Sequence, residues 1–267
     1  MVLNSKNNVF KKRKITSRIT ILIIGALYFY FANVLSFNTF EAVTGSYGGI
    51  VWMFLNFLPD ETAFYWEFAW RIITTLWSTA MLAIAATSIA ALFALIAGVL
   101  GSKKTELHPI ITYIVRFIAM VFRNIPLIAW ALILIFSFRQ NEFTGFLALF
   151  FGTFGFLTRS ITEIIDESSE GVLEALRVTG ASYFQVVFQG VLPMISSQVV
   201  SWVLFMIETN IRDATLVGIL TGTGIGFMFN FYFATFRYPR AGFVLVFIIL
   251  AVISFEMLSN KIRRLII

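Results

Sequence analysis

Residues 163–193 read EIIDESSEGVLEALRVTGASYFQVVFQGVLP and form a polar stretch between two apolar runs. The acidic residues at its start add nothing to membrane anchoring, so they favour a segment that faces water or another protein. Because glycine commonly ends a helix, the pattern predicts a short helix through Glu174–Val178 that stops at Gly180 and a second helix through Ser182–Gln189. Such a helix–turn–helix could dock into a groove on another protein. The alternative is a solvated loop that only connects two helices.

The composition of the chain is that of an integral membrane protein. Its 267 residues are 59% hydrophobic and only 13% charged, and the mean hydropathy is +0.87. Soluble domains carry about 25% charged residues, so this chain has too little polar surface to face water on all sides. The net charge of +6 does not indicate a nucleic-acid partner, because Lys and Arg gather at the ends of apolar runs as membrane anchors do.

Six apolar runs predict an all-α fold with about six transmembrane helices, since each crossing needs about 20 mostly apolar residues. The predicted spans are residues 17–37, 72–100, 110–138, 143–165, 192–216 and 241–260. Basic clusters lie before the first span, after the second and after the last, at Lys11–Lys14, Lys103–Lys104 and Lys261–Arg264. This asymmetry predicts a multi-pass protein with both termini in the cytoplasm.

The predicted organisation has three parts. Residues 1–16 form a basic cytoplasmic N-terminus. Residues 17–71 contain the first transmembrane helix and an outer segment whose Trp and Tyr residues favour interfacial helices against membrane lipid. Residues 72–267 form a transmembrane core with a cytoplasmic loop at about 166–191.

Charged residues inside the fifth predicted span are candidates for a pathway or gate. Glu208 and Arg212 are four residues apart and share one helix face, with Asp213 adjacent. Buried charges at membrane depth cost free energy, so they face the bundle interior and find partners. Either Arg212 offers donors to a passing oxyanion, together with Arg123, or Glu208 and Arg212 form a pair that fixes packing or gates the path.

Two further features of the spans concern helix geometry. Pro126 in the third span removes a hydrogen bond and predicts a kink or break there. Broken helices at membrane depth tend to line cavities. Gly218, Gly222 and Gly226 recur every fourth residue, which fits either a close helix contact or a flexible re-entrant turn.

The sequence offers no catalytic, metal or nucleotide site. It has no cysteine, and His108 has no histidine partner for a metal ion. The segment GVLGSKKT at residues 98–105 lacks the spacing of a phosphate-binding loop. We therefore expect no cofactor in this chain and no enzymatic activity of its own.

The loop carries a family signature. Glu174-Ala175, the glycine at Gly180 and Leu192-Pro193 resemble the "EAA" motif of bacterial ABC importer permeases, with Gly190 where the pattern commonly has Ile. The resemblance implies the type I, MetI-like permease architecture in a bacterial cell membrane. It also implies a coupling helix that sits in a cleft of a separate ATPase subunit, which binds ATP and Mg²⁺. The residues given the coupling role are Glu174, Ala175, Leu176, Arg177, Gly180 and Ala181.

A narrower resemblance covers most of the chain after residue 70. Arg123-Asn124-Ile125-Pro126 and the stretch from Glu208 through Asn210 to Thr215 are similar to phosphonate-importer permeases. Thr221 and Thr223 depart from the denser glycine run of that family. The resemblance adds Asn210 and Pro126 to the candidate pathway or gate residues.

This resemblance implies an ATP-driven importer of phosphonates or related phosphorus oxyanions. It further implies an extracytoplasmic solute-binding protein and a second permease copy or close relative as partners. The alternatives are an importer of another small solute, a secondary transporter or channel, and a membrane enzyme. A secondary transporter would leave the coupling-type loop unexplained, and an enzyme would need a polar catalytic cluster.

Overall fold

The computed structural model describes residues 2–59, 65–168 and 170–266, and all the regular structure in these ranges is helical. The chain forms two compact units, Met1–Asn56 and Phe57–Ile267. The helices, in chain order, are α1 (Val2–Val34), α2 (Thr39–Phe57), α3 (Trp66–Gly101), α4 (Pro109–Asn124), α5 (Leu127–Phe138), α6 (Glu142–Ser168), α7 (Glu170–Val178), α8 (Tyr183–Gln185), a π-helical turn (Val186–Val191), α9 (Leu192–Thr221), α10 (Gly224–Ala234) and α11 (Tyr238–Ile266).

The first unit is built from α1 and α2 up to Asn56. Residues Arg13–Val34 of α1 are long and apolar enough to cross a membrane. A turn at Ser36 follows, and the Asn38 Oδ1 atom accepts the backbone N–H of Phe40 at 3.1 Å. Asn38 thereby satisfies a free donor at the start of α2, as helix-capping side chains do. The predicted helical outer segment corresponds to α2, and its residues 60–64 lie outside the described ranges.

The number of spans agrees with the sequence prediction. By length and composition, five of the described helices could cross a membrane, and the pair α4 and α5 makes a sixth if it counts as one broken span. The two axes of that pair meet at 94°. The break falls between Asn124 and Leu127, where Pro126 predicts one, because proline lacks an N–H and clashes with the preceding turn.

Small residues on one face of α3 allow close packing against α6. Ala83, Ala86, Ala90 and Ala94 are fully buried. A Cβ atom at Gly98 would lie 2.5 Å from Cγ2 of Ile161 on α6. In lipid, where helix association depends on van der Waals contact, such a face brings two backbones together. This contact forms the centre of the second unit.

The fifth span begins earlier than predicted. Residues Tyr183–Thr221 form one continuous helix in which the π-helical turn joins α8 to α9. The predicted helix over Ser182–Gln189 is therefore the first part of the span and not a separate element. Pro193 has no N–H and crowds the carbonyl four residues before it, and the wider π turn just ahead of it absorbs that conflict.

The glycines at the end of α9 combine both arrangements considered above. Gly222 has φ +69° and ends α9, a backbone conformation that glycine adopts without strain. A Cβ atom at Gly218 would lie 2.5 Å from the carbonyl oxygen of Thr223, and one at Gly226 would overlap that of Thr215. The chain thus turns sharply and α10 packs back against α9.

Candidate functional site

Helix α7 ends where the sequence predicts. Gly180 has φ +78°, and the N–H of Ala181 donates to the carbonyl oxygen of Leu176 at 3.2 Å. This is the hydrogen bond of a glycine-terminated helix, in which the residue after glycine caps a carbonyl in the last turn. The predicted stop at Gly180 is confirmed, and the chain leaves α7 at a fixed angle.

The predicted coupling residues divide between two faces of this segment. Leu173 is 2% exposed and packs in a core cluster with Ile161 and Ile165 of α6. Leu176 and Ala181 are partly buried against the same cluster. Glu174, Ala175 and Gly180 are exposed, whereas the side chain of Arg177 lies outside the described residues. One face therefore fixes α7 to the transmembrane core and the other is open to a partner.

The turn after α7 extends the open face. Ser182 and Gln185 form a reciprocal capping box at the start of α8, where the Ser182 N–H donates to Gln185 Oε1 at 2.8 Å. Val178 is 88% exposed and Phe184 is 70% exposed. Apolar side chains beside an exposed carboxylate, on a backbone fixed by capping bonds, suit docking into a groove on another protein.

Glu208 and Arg212 form the ion pair that their spacing allows. Arg212 Nη2 lies 2.7 Å from Glu208 Oε1. The Glu208 side chain is only 13% exposed, but that of Arg212 is 55% exposed. The Glu208 carboxylate is thus mostly buried, while much of the Arg212 guanidinium is exposed on the surface of α9. The half-buried Asp213 lies next to Arg212 in sequence.

Asn210 lies inside the helix bundle, with 2% of its surface exposed. Its Nδ2 atom donates to Thr87 Oγ1 at 2.7 Å and to Thr153 Oγ1 at 2.6 Å. These bonds join α9 to α3 and α6. In this structure, Asn210 therefore contributes to packing and does not face an open path.

The broken span is supported by an aromatic cluster and one glycine. The Trp130 Nε1 atom donates to the carbonyl oxygen of Phe122 at 3.3 Å, and both rings pack against Phe151. A Cβ atom at Gly155 would lie 2.5 Å from the backbone nitrogen of Arg123. Arg123 and Pro126 are themselves exposed at the break. The sequence indicated the break through Pro126, but not the role of Gly155.

Sequence reasoning missed a polar cluster where α3, α4 and α6 meet. Asp166 Oδ2 lies 2.6 Å from Arg116 Nη2, and Asp166 Oδ1 accepts the Ser102 hydroxyl at 2.6 Å. Arg116 is a cation within the predicted third span, so the argument that buried charges need partners could have singled it out. Among the described residues, no three His, Cys, Asp or Glu side chains come together in a way that could hold a metal ion.

Comparison with known sequences identifies a family. Residues 90–266 match the family described as binding-protein-dependent transport system inner membrane component. The phosphate-import permease protein PhnE of Mycolicibacterium smegmatis is 27% identical to this chain. The aligned residues are 72% of this chain and 36% of the PhnE protein, so this chain spans only about a third of that relative. The phosphite transport system permease protein PtxC of Stutzerimonas stutzeri is 27% identical, over 78% of this chain and 74% of its own length.

Solved structures share the fold. The MetNI methionine ABC transporter in an inward-facing conformation has a chain that aligns with a TM-score of 0.62 at 22% identity, covering 76% of this chain and 99% of that one. A chain of an amino acid ABC transporter aligns with a TM-score of 0.58 at 16% identity, and the alignment covers 82% of this chain and 96% of the transporter chain. The expected MetI-like architecture is confirmed. With its family match over residues 90–266, the chain belongs to the inner membrane components of binding-protein-dependent transport systems.

Proposed function

We propose that this chain is the translocation subunit of an ATP-driven importer for phosphonates or related phosphorus oxyanions. Helix α7 carries the proposal, because Leu173 fixes it to the core while Glu174, Ala175 and Gly180 remain exposed. A separate ATPase subunit binds this face, and its ATP-driven closure moves the attached core. ATP shifts the permease between inward- and outward-open states through its different affinity for the two.

The remaining partners follow from the family. An extracytoplasmic solute-binding protein delivers the substrate, and a second copy or close relative of this chain completes the path. Both termini lie on the ATPase side of the membrane. The permease and importer names of the relatives that match most of this chain support the phosphorus oxyanion as substrate. The chain itself forms no covalent bond with the substrate.

Reconstitution tests the function. The chain is purified with candidate ATPase and binding-protein subunits and placed in proteoliposomes. Uptake of radiolabelled methylphosphonate, phosphite and phosphate is then measured with and without ATP. We expect uptake of at least one of these anions that requires both ATP and the binding protein. Uptake driven by an ion gradient without ATP would contradict the proposal.

The exposed face of α7 makes a first prediction. Gly180→Ala forces a side chain into left-handed backbone at a cost of about 1 kcal/mol, which strains the turn that follows α7. We expect several-fold slower uptake with normal membrane insertion, and the same for Glu174→Gln. The matched control is Gly171→Ala on α7, where an added Cβ would meet nothing within 4 Å. Uptake by both test variants equal to that of the control would remove the coupling role.

A further inference from the structure

Asp166 binds three groups from two other parts of the core. Its Oδ1 atom accepts the Ser102 hydroxyl at 2.6 Å and the Lys103 N–H at 3.0 Å, at the end of α3. Its Oδ2 atom accepts Arg116 Nη2 of α4 at 2.6 Å. We refer to Ser102, Arg116 and Asp166 as the latch.

Arg116 closes the latch from the other side. Its Nε atom donates to the carbonyl oxygen of Gly101 at 2.6 Å, so a single guanidinium joins α4 to both α3 and α6. The side chains of Arg116 and Asp166 are 36% and 27% exposed. Charge-assisted hydrogen bonds in such partly buried positions are about twice as strong as neutral ones.

The space beside the latch makes it important for the spacing of α4 and α6. A cavity of about 250 Å³ separates the two helices here. Its lining includes Arg116 and Met120 of α4 and Thr158 and Asp166 of α6. Apolar packing does not fill this part of the contact, so at this end of α4 the hydrogen bonds of the latch hold it against α6.

The latch also lies next to the coupling segment. Asp166 is in the last turn of α6, and α7 begins at Glu170. Leu173 on α7 packs in one cluster with Ile161 and Ile165 of α6. The end of α6 and helix α7 thus pack together, and Asp166 bonds this end of α6 to α4.

We propose that Asp166 is a positioning residue that makes α4 follow α7 when the ATPase moves. Helix α4 leads directly to the break at Pro126, so motion at the coupling face reaches the broken span through the latch. The proposal rests on the proposed function, since it concerns transmission from the ATPase to the transport path.

The transport test compares Asp166→Asn with Glu167→Gln, an exposed neighbour on the same helix. In the complex with ATPase and binding protein, we expect Asp166→Asn to lower the anion moved per ATP hydrolysed by roughly ten-fold. The ATPase rate should stay within two-fold of the native rate, and Glu167→Gln should behave as native. An unchanged ratio, or an equal loss of ATPase rate and uptake, would overturn the proposal.

A double-mutant cycle separates the contact between Arg116 and Asp166 from any general loss of folded protein in the single variants. If Arg116 and Asp166 act through one contact, Arg116→Met combined with Asp166→Asn should be no worse than the more damaging single change. If the double variant instead lost transport per ATP by the product of the two single losses, the proposal would be overturned. If the native complex moves none of the three anions, the proposed substrate fails, whereas the distance measurement below needs only the complex with its ATPase and a trapped nucleotide and still tests the latch.

The distance measurement uses spin labels. The chain has no cysteine, so labels attach only at Tyr113→Cys on α4 and Gly171→Cys on α7, both at exposed positions. In the protein with Asp166 unchanged, we expect the distance between the two labels to stay constant when a nucleotide is trapped in the ATPase. With Asp166→Asn, the distance should shift or broaden. A native distance that changes as much as that of the variant would show that α4 does not follow α7.

Discussion

At the scale of single residues, the two partners of the Glu208–Arg212 ion pair differ in burial. Glu208 is buried and Arg212 half exposed, so the two residues of one ion pair meet different surroundings. A buried carboxylate that loses its partner is costly. Loss of the arginine should therefore harm the protein more than the exposed fraction of its side chain suggests.

Arg212→Met tests this asymmetry. The change leaves the Glu208 carboxylate buried and unpaired, at a cost of about 1–3 kcal/mol, and uptake and thermal stability should both fall. Adding Glu208→Gln removes the unpaired charge. We expect the double variant to regain both properties, measured by uptake in proteoliposomes and by the unfolding midpoint. Recovery of stability without uptake would instead assign Arg212 to the transport path.

At the scale of helices, the angle of the broken span depends on a residue of a different helix. Pro126 explains why α4 ends, but the 94° angle needs the end of α4 to approach α6 closely. Gly155 permits that approach next to Arg123, and the rings of Phe122 and Trp130 fill the corner. The break is thus a packed feature of the fold.

Two glycines of α6 provide a matched comparison for this approach. A Cβ atom at Gly155 would strike the backbone of Arg123, whereas one at Gly152 would meet its nearest atom, on Leu127, at 4.0 Å. We expect Gly155→Ala to cost about 1–3 kcal/mol through overcrowding and to shift the Trp fluorescence because Trp130 lies in the corner. Gly152→Ala should be nearly neutral by thermal unfolding. Equal effects would mean that the contact is not tight.

The sequence predicted those features of the fold that depend on local pattern. Hydropathy located the spans, Pro126 located the break and Gly180 the end of α7, because each acts through its own backbone. The continuous helix from Tyr183 was missed, since Pro193 is typical of a helix start and the π turn that accommodates it has no local signature. The bond from Asn210 to Thr87, 123 residues away, depends on which helices become neighbours.

At the scale of the whole molecule, polar contacts in different parts of the second unit join its helices. The latch joins α3, α4 and α6 near the coupling segment, and Asn210 joins α3, α6 and α9 within the bundle. Helix α6 takes part in both. Hydrogen bonds require a particular direction, whereas van der Waals packing between apolar side chains does not. These polar contacts therefore fix how far each helix is shifted along its neighbour.

Asn210→Ala should loosen the bundle as a whole. It removes two interhelical hydrogen bonds at a total cost of about 1–2 kcal/mol. We expect a lower unfolding midpoint in nanodiscs and faster hydrogen exchange in α3, α6 and α9 together. Thr209→Ala is the control, because its hydroxyl bonds only to the carbonyl oxygen of Phe205 in its own helix. A midpoint no lower than that of the control would show that the bonds are dispensable.

The continuous helix Tyr183–Thr221, which includes the π-helical turn at Val186–Val191, can act as a lever. Its 39 residues extend about 58 Å if straight, nearly twice the roughly 30 Å of the hydrocarbon layer. A tilt of about 5° at one end would displace the other by about 5 Å. This helix begins directly after the coupling segment. A small rotation on the coupling side of the bilayer would therefore displace the other end of the helix by several ångströms. The stiffness of the helix at its π-helical turn, near the coupling end, would set the size of that displacement.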